Sequence, residues 1–307
     1  MNNKLLFSII VFLLLVIVSC ENNKNSSNNS VLNIDSSEMK KTTKQRAGEI
    51  PFNFPVVRTS AKQGEYVLAP SFSFLEDAWE GNGSSFNFYS RKCLEVGDVE
   101  SKLLEIGEEV MMPNSLIIPI PAGESVDNGD VVLTWWQSGS GMCRAIIVDA
   151  TNPESPIAQY LDIDFDNPTT NENGVPIGQM DEQLEPNSFT KITSTWQAGT
   201  SIAVLEDGNY SHYKVIRVEN DNVLASGWAG KLAVFKKSDC IAIPIRLDLL
   251  AGDRVQVPYI GSFIDGVVKR YDEKIGRVFV EIVFAGQKQN IVTSIGNVAL
   301  DLDVISF

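Results

Sequence analysis

The 307-residue sequence predicts an all-β chain assembled from small repeated modules, and three observations carry that prediction. Short alternating or apolar runs bounded by Gly, Asp, Asn and Pro recur throughout, whereas long helical periodicity is scarce. A pattern of residues returns after about 123–125 positions, which points to two duplicated halves. A hydrophobic fraction of 44% lets the globular part bury a large core, as one big domain or several small ones.

The first residues read Met1-Asn2-Asn3-Lys4 and lead to an unbroken apolar run from Ile9 to Val18, a basic segment followed by a hydrophobic one. That run falls short of the roughly 20 apolar residues a bilayer span needs. It ends in Ile17-Val18-Ser19-Cys20, which resembles the bacterial lipobox. The resemblance implies a signal peptide over residues 1–19 and an acylated, palmitate-bearing Cys20 as the mature N-terminus of a membrane-anchored lipoprotein. Several acyl chains on one cysteine anchor stably, since each buried methylene adds about 0.8 kcal/mol. The expected location is the cell envelope, the outer membrane ahead of the inner, with the leaflet left open. Residues 20–47, rich in Asn and Ser with Lys40, Lys41, Lys44 and Arg46, contain almost nothing that can be buried and read as a disordered tether. Its r.m.s. reach is about 30 Å.

The whole chain carries 25 Lys+Arg against 39 Asp+Glu. Without the signal and the mildly basic tether, 19 basic residues face 36 acidic ones, a net charge of −17. Nucleic acid and anionic headgroups are therefore poor partners for the body. Cations, basic proteins and neutral glycans fit better.

Strands are expected at Glu65–Ala69, Ala145–Val148, Tyr213–Val218 and Arg277–Phe284, where β-branched and aromatic residues concentrate. The repeat aligns Ser115-Leu116-Ile117-Ile118-Pro119-Ile120 and Gly129-Asp130-Val131-Val132-Leu133 with Asp239-Cys240-Ile241-Ala242-Ile243-Pro244-Ile245 and Gly252-Asp253-Arg254-Val255-Gln256-Val257. A weaker match sets Gly64-Glu65-Tyr66-Val67-Leu68 against Gly199-Thr200-Ser201-Ile202-Ala203-Val204. Two halves follow, residues 48–166 and 188–307, each of two small β modules, joined by a linker over 167–187 rich in Asn, Pro, Thr and Glu.

The alignment also tests the cysteines. Cys240 stands against Leu116, Cys93 near Ile216 and Cys143 close to Val267, so apolar residues replace each one. They read as small buried hydrophobes. Only Cys20 is assigned chemistry.

The second module reads Gly129-Asp130-Val131-Val132-Leu133-Thr134-Trp135-Trp136, a glycine turn, Arg144-Ala145-Ile146-Ile147-Val148-Asp149, then Tyr160-Leu161-Asp162-Ile163-Asp164-Phe165. It is similar to the Tudor and agenet type of SH3-like barrel, and the segment from Gly252 to Phe284 repeats it more loosely. The resemblance covers about 40 residues in each half. It implies tandem SH3-like barrels and, from the family's aromatic cages, a ligand site at Trp135, Trp136 and Tyr160 with a second at Tyr259 and Phe279. A cage works because ring faces attract a desolvated cation. The competing reading places these rings in barrel cores and along module seams.

Other chemistry is sparse. His212 is the single histidine and reads as an exposed residue at the start of a strand; zinc sites with two or more imidazoles are excluded. Asp162, Asp164 and Asp166 alternate with Leu161, Ile163 and Phe165, which would place three carboxylates on one strand face. Three hard oxygens are a candidate calcium site, the one cofactor the sequence suggests, although Asn167 and Asn173 occupy the EF-hand positions of Gly and Glu. No Gly-x-Ser-x-Gly elbow, phosphate loop or dinucleotide fingerprint occurs. The sequence thus points to a non-catalytic binding or scaffolding protein whose partner is an envelope protein or glycan. The alternatives are a peptidoglycan-binding module stacking sugars on Trp79, Trp135 and Trp196, and a hydrolase with an acidic cleft.

Overall fold

A computed structural model describes residues 46–83, 85–139, 141–163, 169–170, 176–177 and 181–302. The expected signal peptide, Cys20 and nearly all of the tether lie outside these residues. So do Asp164, Asp166 and most of the expected linker.

Residues Gln45–Phe307 form one compact all-β unit. In the first module β1 (Tyr66–Pro70), β2 (Phe88–Val96), β3 (Glu100–Glu105), β4 (Glu108–Pro113) and β5 (Ile118–Ile120) form an antiparallel sheet in the order β4-β3-β2-β1-β5. A helix, α1 (Phe72–Trp79), is inserted between β1 and β2, an element the periodicity did not reveal. The second module contains β6 (Val131–Trp135), β7 (Met142–Asp149), β8 (Ile157–Tyr160), the short pair β9 (Thr169–Thr170) and β10 (Pro176–Ile177), then β11 (Asp181–Gln183) and β12 (Thr190–Lys191). Its sheet runs β11-β8-β7-β6-β12. The third consists of β13 (Ser201–Glu206), β14 (Asn209–Glu219), β15 (Asn222–Ser226), β16 (Leu232–Lys236) and β17 (Cys240–Ala242). The fourth consists of β18 (Arg254–Tyr259), β19 (Ser262–Asp272), β20 (Arg277–Phe284) and β21 (Gln287–Ser294), closed by a bridge from Gln256 to Ala299. In every module the last strand or bridge returns to the first.

One local motif opens all four modules. Residues 62–65, 127–130, 197–200 and 250–253 each close a turn by a backbone bond from fourth to first residue. The third residue is Gly64, Gly129, Gly199 or Gly252, with φ of 84, 91, 86 and 100°. Glycine adopts that conformation without the Cβ clash that penalises other residues. The glycine N–H then donates to the carbonyl of Cys93, Ile147, Val215 or Val268, whose own N–H donates back to the residue after the glycine. Directly beyond each of these four residues the register shifts by a bulge. A bulge bends the strand, and repeated at one position it curls each sheet into the same small barrel.

This register corrects three alignments. Cys93 corresponds to Val215, one residue before Ile216, because the two make the same reciprocal bonds. Cys143 corresponds to Ile264, since Thr134↔Cys143 and Val257↔Ile264 are equivalent pairs. Cys240 corresponds to Ile117, since Leu68↔Ile118 and Ala203↔Ile241 are equivalent pairs on the returning strand and Cys240 and Ile117 each precede them by one. The counterparts remain apolar, and all three thiols are free. Burial raises each thiol's pKa, that of Cys240 to about 11, which suppresses the reactive thiolate.

The modules are not beads on a string. One apolar cluster takes in Val67, Leu103 and Leu116 of the first, Ile146 and Leu161 of the second, Ile216 and Leu224 of the third and Val255 and Val280 of the fourth. Each fully buried Leu, Ile or Val of this kind contributes about 1.5–3 kcal/mol. The expected joint over 167–187 is in part module: β11 pairs with β8, and β12, beyond it, pairs with β6. The second module therefore extends to Lys191, because its sheet needs one strand from the segment that composition marks as linker and another just beyond it.

Candidate functional site

The rings proposed for a cage are taken into packing: Trp136 and Tyr160 share the second module's core, whereas Trp135 faces the first module. Tyr160 is 0% exposed, and its hydroxyl accepts from Gln137 N (2.9 Å) and donates to the Glu182 carboxylate (2.6 Å). Trp135 is buried and lies 4.9 Å from Tyr66, centroid to centroid, at the seam of the first and second modules. Trp136 packs on the second module's core, its indole so close over Gly139 that a Cβ there would stand 2.2 Å from a ring carbon. These rings are packing elements, as the competing reading held.

Several ring faces are covered by cations of the chain itself. Lys92 Nζ lies 3.1 Å from the Tyr66 centroid, and the Arg270 guanidinium 3.8 Å from that of Phe279. Both are cross-strand pairs, Tyr66↔Lys92 and Arg270↔Phe279, the spacing at which facing side chains touch. Lys237 likewise sits 4.7 Å over Trp196. Of the tryptophans expected to stack on sugars, Trp135 is buried, Trp196 is covered and Trp79 stays partly exposed.

Tyr259 meets Phe284 rather than Phe279, edge to face at 5.0 Å. The β18–β19 and β20–β21 hairpins bring these two rings to the same end of the last module, whereas Phe279 lies toward the other end of β20. Tyr259 donates its hydroxyl proton to Gln289 Oε1 at 3.0 Å. Beside the pair a cleft of about 540 Å3 runs along the outer face of the module, walled by Ile264, Val283 and Phe284 and edged by Arg254, Asp265 and Lys288. Concave, mostly apolar surface with a few convergent charges is the usual form of a ligand site. The sequence reading missed Phe284, although its place before the Ala285-Gly286 turn marks the exposed end of a strand.

The expected metal stripe is organised differently. β8 ends at Tyr160, so the alternation does not continue through Asp162. Asp162 turns inward instead, accepting from Arg144 N (2.9 Å), Arg144 Nε (3.2 Å) and Arg144 Nη2 (2.7 Å), and pairing with Lys214 Nζ at 2.8 Å. Burial pushes its carboxyl up, but the two cations overcome that and hold it well below the usual carboxylate range. A carboxylate committed to two cations is not a calcium ligand. Among the described residues no group of three or more His, Cys, Asp or Glu is placed to hold a metal ion.

Arg144 also donates to Ile295 O (3.1 Å) and Asn297 Oδ1 (2.9 Å) of the fourth module. Ser201 of the third donates to the same Asn297 oxygen at 2.9 Å, and His212 Nε2 lies 3.0 Å from Ser201 Oγ. His212 is thus a strand residue at the junction of three modules, correcting the exposed position expected for it. It sits edge-on to Phe263 at 5.6 Å. Burial, then the charges of Lys214 and Arg144, push its pKa down to about 3, so the ring is neutral at neutral pH. The Ser–His contact is structural, because Ser201 is buried and the void beside it is too small to admit a water-sized group.

No family model and no curated protein matches the chain. Among solved structures, the crystal structure of Arabidopsis thaliana AGDP1 AGD34 is similar at 21% identity over 34% of this chain and 82% of that one, with a TM-score of 0.21. A likeness at that score carries no argument, and the small-barrel fold rests on the strand pairings above. Among the described residues no helix is long and apolar enough to cross a membrane.

Proposed function

We propose that the protein is a lipid-anchored, non-catalytic binding protein of the cell envelope that holds its partner on the outer face of its last module. The observation that carries this reading is the cleft of about 540 Å3 beside Tyr259 and Phe284. Its apolar wall contributes affinity through burial, and charges of both signs at the rim set orientation. The partner is an envelope protein offering an apolar segment flanked by charge. Cys20 and the tether keep the module close to the membrane that carries that partner.

One experiment in a bacterial host tests anchor and surface together. Wild-type chain takes up labelled palmitate, fractionates with membranes and retains a distinct envelope protein on crosslinking. Cys20→Ser loses label and membrane association. Phe284→Ala keeps both but loses at least about tenfold of the retained partner, as expected for an interface aromatic worth 1.4 kcal/mol or more. Retention on purified peptidoglycan alone would replace this reading with the glycan one; retention on neither removes it.

A further inference from the structure

The first, second and third modules meet around a second cleft, of about 420 Å3, separate from the one on the last module. Phe88 and Tyr89 at the start of β2 form one wall, Gly141 and Met142 at the start of β7 another, and Lys214 with Ser226 a third. No carboxylate is among the described residues that line it. In a body carrying net charge −17, a cleft whose one charged group is a lysine runs against the prevailing field.

Lys214 is held there. Its Nζ lies 2.8 Å from Asp162 Oδ2, and the same carboxylate is gripped by Arg144 Nη2 at 2.7 Å. Two cations therefore share one anion, leaving one unit of positive charge, and His212 beside them adds none. Arg144 is 2% exposed, with its other donors spent on Ile295 O and Asn297 Oδ1. Lys214 is 25% exposed and is the member of the cluster that reaches the cleft. An ammonium carries three N–H donors, and Asp162 takes one. The excess charge is thus presented at one atom, with donors to spare, beside the half-buried side chains of Tyr89 and Met142.

We propose that this cleft binds a small organic monocarboxylate, its carboxylate on Lys214 Nζ and its apolar body against Tyr89 and Met142. One negative charge completes the cluster, whereas a phosphate dianion would overshoot it and repel Asp162. The volume suits a small organic molecule.

The test uses the full chain at constant ionic strength, with benzoate, acetate, inorganic phosphate and benzyl alcohol as probes. Benzoate is expected to raise the melting temperature by about 3 °C at tenfold over its Kd, through binding to the folded state alone. Acetate acts more weakly, and benzyl alcohol and phosphate leave the melting temperature unchanged. Lys214→Met abolishes the benzoate shift. Ser226→Asp, directly opposite Lys214 in the β14–β15 pairing, supplies an internal carboxylate and weakens benzoate at least tenfold while keeping the lysine and its Asp162 contact. It keeps the test decisive if Lys214→Met does not fold. Equal benzoate shifts in wild type and Ser226→Asp, a response to phosphate but not benzoate, or no benzoate shift at about 20 mM, a binding free energy of about −2.3 kcal/mol, would overturn the proposal.

Discussion

At the junction of the second, third and fourth modules Arg144 is almost wholly buried, and its guanidinium is spent on one carboxylate, one carbonyl and one amide oxygen. At the β3–β4 hairpin tip Ile106 is 92% exposed and holds φ of 48°. Ile260, at the β18–β19 tip, repeats the arrangement at 57% exposure and φ of 49°. The junction takes charged groups, costly to bury, and pairs them with one another and with backbone and amide oxygens. The tips place β-branched apolar residues where Asn or Asp is preferred and leave them in solvent. Cooperative stability is therefore concentrated at the junction, and the tips carry a local cost on which the fold does not depend.

Removing a junction cation gives the largest expected effect. Arg144→Ala leaves Asp162 buried with Lys214 alone and orphans Ile295 O, so denaturant unfolding should show a loss of about 3–5 kcal/mol. A loss below about 1 kcal/mol would mean the modules are held by apolar packing alone, and the comparison would fail.

His212 gives a smaller, pH-dependent effect. Its folded pKa is about 3, below the ordinary value of about 6.5, so the unfolded chain takes up a proton that the folded one refuses. Stability is then fully present above about pH 6.5 and falls by about 1.4 kcal/mol per pH unit between there and pH 4. Asp162, also depressed, adds its own loss as the unfolded carboxyl begins to protonate near pH 4. His212→Gln keeps a polar partner for Ser201 and cannot titrate. Its unfolding free energy should be flat from pH 6.5 to 5, and the same slope in both proteins would assign the effect elsewhere.

The smallest effect comes from the tips. Ile106→Asn creates an Asn-Gly hairpin in a backbone already left-handed at both residues and should stabilise by about 1 kcal/mol. Destabilisation on thermal melting would show that the exposed isoleucine packs on something the isolated chain retains.

Much of the architecture is legible in the residues. The Gly-Asp and Gly-Glu openings, the alternating strands and the apolar counterparts of the cysteines all reflect local rules, since a turn glycine or a half-buried strand imposes its pattern on a few neighbouring residues. Register to the single residue was not legible. A bulge after Cys93, Ile147, Val215 and Val268 adds a residue without changing the apolar pattern, so alignments through Leu116, Ile216 and Val267 missed by one to three positions. Nor was the fate of the aromatics, because Tyr160 and Phe284 both close a strand, yet the core of its own module encloses Tyr160 while Phe284 stays on the outer face of its module.

The sequence by itself determined the repeated all-β class, the acidic body and the apolar status of Cys93, Cys143 and Cys240, because period, composition and turn chemistry act over a few residues. The tertiary structure alone decided that Asp162 is an internal ion-pair partner, that His212 is half-buried at a module junction, and that Phe284 and Lys214 open onto clefts. Burial, and with it the cost or use of a charge, depends on residues a hundred positions away that only the packing of modules brings together.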